Sequence, residues 1–171
     1  MTGDNPMRKI SIEKVTVNIG TGQPGEILDN AKLLLERLTE GKPIITAAKN
    51  RVPSFKLRKG LEIGTSVVLR GKKATDFLEK AFAAKRKMIK EKNFDREGNF
   101  SFGVAEYIDF PGAKYDPAME MYGFDVCVTL KRPGKRVSKR RNKKAKIGRK
   151  HRITKEEAME FAKSEFGIKI E

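Results

Sequence analysis

Between an alternating apolar segment and a helical one, the chain reads Gly20-Thr21-Gly22-Gln23-Pro24-Gly25, a literal G-x-G-x-x-G. In a dinucleotide fold those glycines bring a helix N-terminus against a pyrophosphate. Glu40 stands where such a fold holds an acid on the ribose, 20 residues beyond Gly20. The preceding strand argues otherwise: Thr16 and Asn18 interrupt it, whereas a dinucleotide-binding strand is apolar on both faces. The next strand, 44–48, does not end on an acid. The preferred reading is a tight turn with free amides, able to meet an RNA phosphate; a nucleotide-binding enzyme using Gly20–Gly25 is the alternative.

The other reactive residue types form no catalytic constellation. His151 is the only histidine and lies inside a basic run, where it is a phosphate neighbour rather than a general base. Cys127 is the single cysteine, with no histidine near it in sequence. A plain structural thiol in a reducing compartment fits it better than a nucleophile or a disulfide half. Asp109, Asp116 and Glu120 lack the spacing of a metal loop. Neither enzyme chemistry, a cofactor nor a metal is expected.

Charge is the strongest signal. The 171 residues carry 38 Lys or Arg against 22 Asp or Glu, a formal net charge of +16. Thirteen of those cations fall in residues 131–152, which contain no acid. They are Lys131, Arg132, Lys135, Arg136, Lys139, Arg140, Arg141, Lys143, Lys144, Lys146, Arg149, Lys150 and Arg152. Val137, Ala145 and Ile147 are too few to give the segment a core of its own. Such a run repels itself and stays extended in water until it meets a polyanion. A phosphate backbone, with its releasable counterions, is the physical partner. A membrane surface would call for an amphipathic stripe or a lipid site, and neither is present. No apolar run is long enough to cross a bilayer, and Met1 to Pro6 show no secretory h-region.

The elements that must position these residues follow from periodicity. Residues 14–19 alternate, with Val15, Val17 and Ile19 on one face. Ile10 and Ile12 are out of phase with them, so a bulge or break is expected near Glu13. Residues 26–39 place Ile27, Ala31, Leu34, Leu35 and Leu38 on one helical face, stopped by Gly41 and Pro43. Strands are expected at 44–48 and at 62–70, the latter with Ile63, Thr65, Val67 and Leu69 together. The thirteen-residue loop 49–61 between them carries five cations and no acid. A second helix is expected over 74–94, burying Phe77, Leu78, Ala81, Phe82, Met88 and Ile89.

Strands at 100–108 and 124–130 follow, separated by a loop beginning at 110–117. The first should turn Phe100, Phe102, Val104 and Ile108 inward, and the second Phe124, Val126, Val128 and Leu130. Gly98 to Val104 faintly resembles an RNA-recognition-motif strand with base-stacking aromatics, but core burial suits Phe100 and Phe102 better. Thr154-Lys-Glu-Glu157 is a capping box that opens a helix over 154–166. Five half-apolar strands imply an α+β fold, a five-stranded antiparallel sheet with helices on one face, RRM-like, plus a long basic loop before the last helix. The chain is expected to be one RNA-binding domain over 1–171, with extension 131–152. Its open sheet face would carry Thr16, Asn18, Ser66, Arg70 and Ser101.

The assembled blocks resemble one family. They are EKVTVNIG at 13–20, LDNA at 28–31, GKPI at 41–44, AAK at 47–49 and FKLRKG at 55–60. Ile63-Gly64, VLRG at 68–71, GNF at 98–100 and IDFP at 108–111 continue them in order. In this order they resemble large-subunit ribosomal protein five, over nearly the whole chain. The absence of a helix before the first strand, and the 131–152 insert with its terminal helix, resemble the archaeal and eukaryotic branch.

The resemblance implies a structural role, without catalysis, in the central protuberance of the cytoplasmic ribosome. Its implied partners are 5S rRNA, large-subunit rRNA, the tRNA in the peptidyl site and neighbouring ribosomal proteins. Asn18, Gly20, Gly22, Thr46, Ala47 and Lys49 should then face 5S rRNA. The loop bearing Arg51, Ser54, Phe55, Lys56, Arg58 and Lys59 should reach toward the tRNA; read from its own residues, a hydrophobic Phe55 in so basic a loop can fold back as an anchor while the cations point outward. The cations of 131–152 should take other rRNA. A non-ribosomal RNA-binding regulator on the same sheet is the remaining alternative.

Overall fold

The computed structural model describes residues 5–117 and 119–171; the reading made at Met1–Asp4 lies outside them. In chain order the elements are β1 (Ser11–Gly20), α1 (Glu26–Thr39), β2 (Ile44–Ala47), β3 (Glu62–Leu69) and α2 (Lys72–Ala84). Then come β4 (Met88–Ile89), β5 (Phe100–Val104), β6 (Phe124–Lys131), α3 (Arg136–Lys139), α4 (Lys155–Phe166) and β7 (Lys169–Ile170).

Five strands form one sheet in the order β2-β3-β1-β6-β5, and every pair is antiparallel. This is the RRM-like α+β arrangement with one added edge strand. It also removes the dinucleotide alternative. That fold needs a parallel strand–helix–strand crossover after the glycine turn, and β1 has antiparallel neighbours on both sides.

The alternation read from the sequence sets the layers. Val15, Val17, Ile19, Val67, Leu69, Val126, Val128 and Leu130 all point to one face and are buried. Ala31, Leu34 and Leu35 of α1, with Phe77, Leu78, Ala81 and Phe82 of α2, join them in one cluster. Phe82 is its aromatic centre, with ring centroids 5.1 Å from Phe102 and 5.0 Å from Phe166. Phe100 and Phe102 are therefore core residues, as expected, and not a base-stacking platform. The α4 capping box is present, with Thr154 and Glu157 each bonding the other's backbone.

Two element boundaries differ from the periodicity reading. The second helix stops at Ala84, ten residues early. Arg86 and Lys87 take left-handed φ values of 53° and 56°, and Lys87 N–H donates to the Phe82 carbonyl at 2.8 Å. The chain then runs as β4, paired in parallel with β7, so Ile89 is buried but Met88 is exposed. The first strand of the 100–124 hairpin ends at Val104. A 3-10 turn at Tyr107–Asp109 then shifts the phase, burying Tyr107 and leaving Ile108 exposed.

Candidate nucleic-acid interface

With the helices on one side, the sheet's other face is open. Across it, Thr16 lies between Val68 and Cys127, and Asn18 between Ser66 and Asp125. Gly20 faces Gly64, which in turn faces Thr46. Asn18, Gly20 and Thr46, far apart in sequence, thus come together at one end of the sheet, within about three strand spacings of roughly 4.8 Å each. Ala47 and Lys49 are exposed beside them. Gly64 must be glycine: a Cβ there would sit 2.9 Å from the Ile19 carbonyl oxygen. At Gly20 a Cβ would meet nothing within 4 Å, so the surface above it is free.

Two amides of the turn after Gly20, which was expected to hold its amides free, are taken. Thr21 and Gly22 N–H both donate to the Ile63 carbonyl, at 3.0 and 2.9 Å. Gly22 makes that turn at φ +70°, a conformation that L side chains rarely adopt. Its contribution is to close the β1–β3 end, not to present a donor.

Residues 49–61 form an ordered arm that prolongs β2 and β3. Ala48 and Gly60 hold its base through Ala48 N–H to Leu61 O (2.8 Å) and Gly60 N–H to Ala48 O (2.9 Å). Val52 and Leu57 pair nearer the tip, around a 3-10 turn at Pro53–Phe55. Arg51, Ser54, Lys56, Arg58 and Lys59 are all exposed. Phe55 does not fold back as an anchor: it stands 74% exposed at the tip. The Val52–Leu57 pair closes the hairpin beneath it, with both side chains half-buried.

The basic segment is likewise not a free, extended tail. Arg132 is buried, with its guanidinium 2.7 Å from Glu157 and 3.2 Å from the Arg152 carbonyl. Lys135 lies 2.5 Å from Glu13, and Lys139 pairs with the same carboxylate. Arg152 stands 3.8 Å from Glu97, and His151 Nε2 is 2.9 Å from the Pro133 carbonyl. Four of the thirteen cations therefore fasten the segment to the fold, which is how a run of like charge is kept compact. The other nine, including Lys131, Arg136, Arg140, Arg141, Lys143, Lys144, Arg149 and Lys150, are exposed and make no ion pair among the described residues.

Glu13 is the residue that sequence reasoning missed. The expected bulge is present, between Ile12 and Lys14 in the register with β6, and it turns the carboxylate inward. Burial pushes the carboxyl pKa up, but hydrogen bonds and charge from Lys135 and Lys139 outweigh it and hold it at about 2. A lone acid at a phase break was the available signal; its partners, more than 120 residues away, were not.

The arms sit at opposite ends of the sheet. Ser11 pairs with Lys131 at one end and Gly20 with Gly64 at the other. The basic segment leaves from the first, and the 49–61 arm from the second. Cys127, on the open face, has its pKa raised by desolvation and by Asp125, the opposite of an activated nucleophile.

Comparison with known proteins covers nearly all of this architecture. The chain matches the family model "Ribosomal protein L5" over residues 5–58, and the model of the same ribosomal family's C-terminus over residues 62–161. It is 53% identical over 167 residues to "Large ribosomal subunit protein uL5" of Sulfurisphaera tokodaii, covering 97% of this chain and 94% of that protein. The protein of that name from Methanococcus aeolicus is 47% identical over 169 residues, with 97% and 93% covered. That from Archaeoglobus fulgidus is 48% identical over 168 residues, with 98% and 93% covered.

Proposed function

The chain belongs to the ribosomal protein L5 family, and from that premise we propose that its open sheet face binds 5S rRNA in the central protuberance. As a member it is a structural protein of the large ribosomal subunit, in the cytoplasm, and not an enzyme. Ribosomal RNA and ribosomal proteins are its partners. Membership also replaces the reading of a non-ribosomal regulator.

The finer assignment rests on one observation: a side-chain-poor surface around Asn18, Gly20 and Thr46, with Asp125 beside Asn18 and cations at both ends of the sheet. Small residues let an RNA backbone approach, and the flanking cations take its phosphates. Lys49 adds a charge to this surface, while Gly22 serves it by fixing the turn. Recognition is by shape, the mode suited to structured RNA. The whole chain acts as one RNA-binding unit, with the exposed cations of 131–152 contacting large-subunit rRNA. Arg132 is spent on Glu157, so its role is to hold that extension in place.

Gly20→Val tests the face directly, because the new side chain fits the free fold and projects into the surface. The variant should melt like the parent and bind 5S rRNA at least about tenfold more weakly, a loss of about 1.4 kcal/mol. Parental affinity in a folded variant would remove this face from 5S binding.

We further propose that the 49–61 arm reaches the tRNA in the peptidyl site, presenting Arg51, Lys56, Arg58 and Lys59 to phosphates, with Ser54 and Phe55 at its tip. The bare Phe55 ring suits stacking on a base or ribose better than it suits water. Replacing Arg51, Lys56 and Arg58 by Ala should leave 5S binding unchanged. Dissociation of peptidyl-site tRNA should accelerate, by about 0.5 to 1.5 kcal/mol per lost contact. Equal dissociation rates would end the tRNA assignment, and a subunit-assembly defect would assign the arm to rRNA instead.

A further inference from the structure

Five cations that the periodicity reading spreads along a helix are gathered by the structure into one turn. Lys85, Arg86, Lys87, Lys90 and Lys92 follow the end of α2 at Ala84, and all are exposed. None makes an ion pair among the described residues. Glu91, the one acid within the stretch, is occupied by Lys155 at 2.6 Å. In a continuous helix these residues would fan around the axis at about 100° per residue, most of them away from the sheet. The left-handed Arg86 and Lys87 instead reverse the chain at the end of the sheet where Gly20 lies.

Lys85 connects this turn to the open face. It lines one hollow with Arg86 and Lys90, on whose wall Asp109 and Glu171 also stand. It also lines an adjoining hollow with Asn18, Gly20, Gly103 and Gly123. The two glycines keep the ground between them low: a Cβ at Gly123 would come within 2.7 Å of the Ala105 carbonyl oxygen. Asp125, on the same ground, adds one negative charge that the cationic turn outnumbers.

We infer that the turn at 85–92 is a phosphate-binding site for ribosomal RNA. A backbone lying on Asn18 and Gly20 continues over Gly103 and Gly123 onto Lys85, Arg86 and Lys90. The inference rests on the reading that the open face binds 5S rRNA. Two elements far apart in sequence, the β1 end and the turn after α2, then form one track. The track is polar on the sheet and charged around its edge, as phosphate contacts that fix the register of an RNA require.

The test is the salt dependence of 5S rRNA binding by the full chain, comparing the parent with Lys85→Gln/Arg86→Gln/Lys90→Gln. A charge-matched control, Lys32→Gln/Lys114→Gln/Lys163→Gln, and Gly20→Val are measured alongside. The turn variant should lower the log–log slope by about 2 to 3, at roughly 0.7 to 0.9 per phosphate, with the control unchanged. Lys85→Gln/Lys90→Gln, which spares the left-handed Arg86, should lower it by about 1.5 if the triple variant unfolds. An unchanged slope, or an equal fall in the control, overturns the inference. If Gly20→Val weakens binding in the same series, the open-face reading survives that failure; if it does not, both readings fall.

Discussion

Glutamine at Arg140, Arg141, Lys143, Lys144, Arg149 and Lys150 will flatten the salt dependence of binding to large-subunit rRNA. All six are exposed and lack an acidic partner among the described residues, so their counterions are free to be released on phosphate. At roughly 0.7 to 0.9 per contact, the log–log slope should fall by about 4 to 5. Over a fourfold rise in salt, the parent should then lose on the order of several hundredfold more affinity than the variant. Point substitutions are the proper test because excising 131–152 would also strip Glu13 and Glu157 of their partners. Binding to 5S rRNA should keep its slope, since the segment leaves the sheet at the end away from Gly20. A slope that falls only with 5S rRNA would transfer the segment to that RNA. Two unchanged slopes would leave it without an RNA role.

The second large effect concerns stability. Glu13→Gln should destabilise the fold at neutral pH by about 1 to 3 kcal/mol, because it leaves two lysines without their shared carboxylate. The upper end is trimmed by screening, as the Lys139 side chain is more than half exposed. The carboxyl's folded pKa, about 2, lies below the ordinary 4.5. Its contribution is therefore complete above pH 4.5 and is lost as pH falls toward 2. Parent and variant melting temperatures should converge over that window. Trypsin should also cut within 133–150 sooner in the variant, because the anchor of the segment is gone. Identical melting at pH 7 would show that the carboxylate is not engaged in solution.

A consequence for RNA recognition follows from where the charges sit. The cations that hold the basic segment, Arg132, Lys135, Lys139 and Arg152, belong to the fold, while the other nine make no ion pair among the described residues. Ordering the segment before binding lowers the conformational entropy lost when RNA arrives.

What the sequence determined by itself was everything governed by short-range periodicity and local capping. The alternation of Val15, Val17 and Ile19 assigned the sheet faces, because successive side chains on a strand point oppositely. The spacing from Ile27 to Leu38 placed α1 at Glu26–Thr39 to the residue, and Thr154 with Glu157 opened α4. The acid-free run 131–152 is legible from composition alone as a segment of one charge. Tertiary structure decided what depends on partners distant in the chain. The helix pattern after Ala74 carries no Gly or Pro before Phe94, yet it breaks at Ala84, where β7 offers Met88 and Ile89 a partner. The turn amides of Thr21 and Gly22 are taken by Ile63, some forty residues on, which no reading of the glycine motif reveals. Phe55 stands bare at the tip of an arm that the Val52–Leu57 pair closes. Glu13 becomes an anchor only when the antiparallel β1–β6 pairing carries Lys135 and Lys139 to the bulge. Hydrophobic period is a property of neighbours within a few residues, whereas electrostatic and hydrogen-bond partners are chosen by the register between strands.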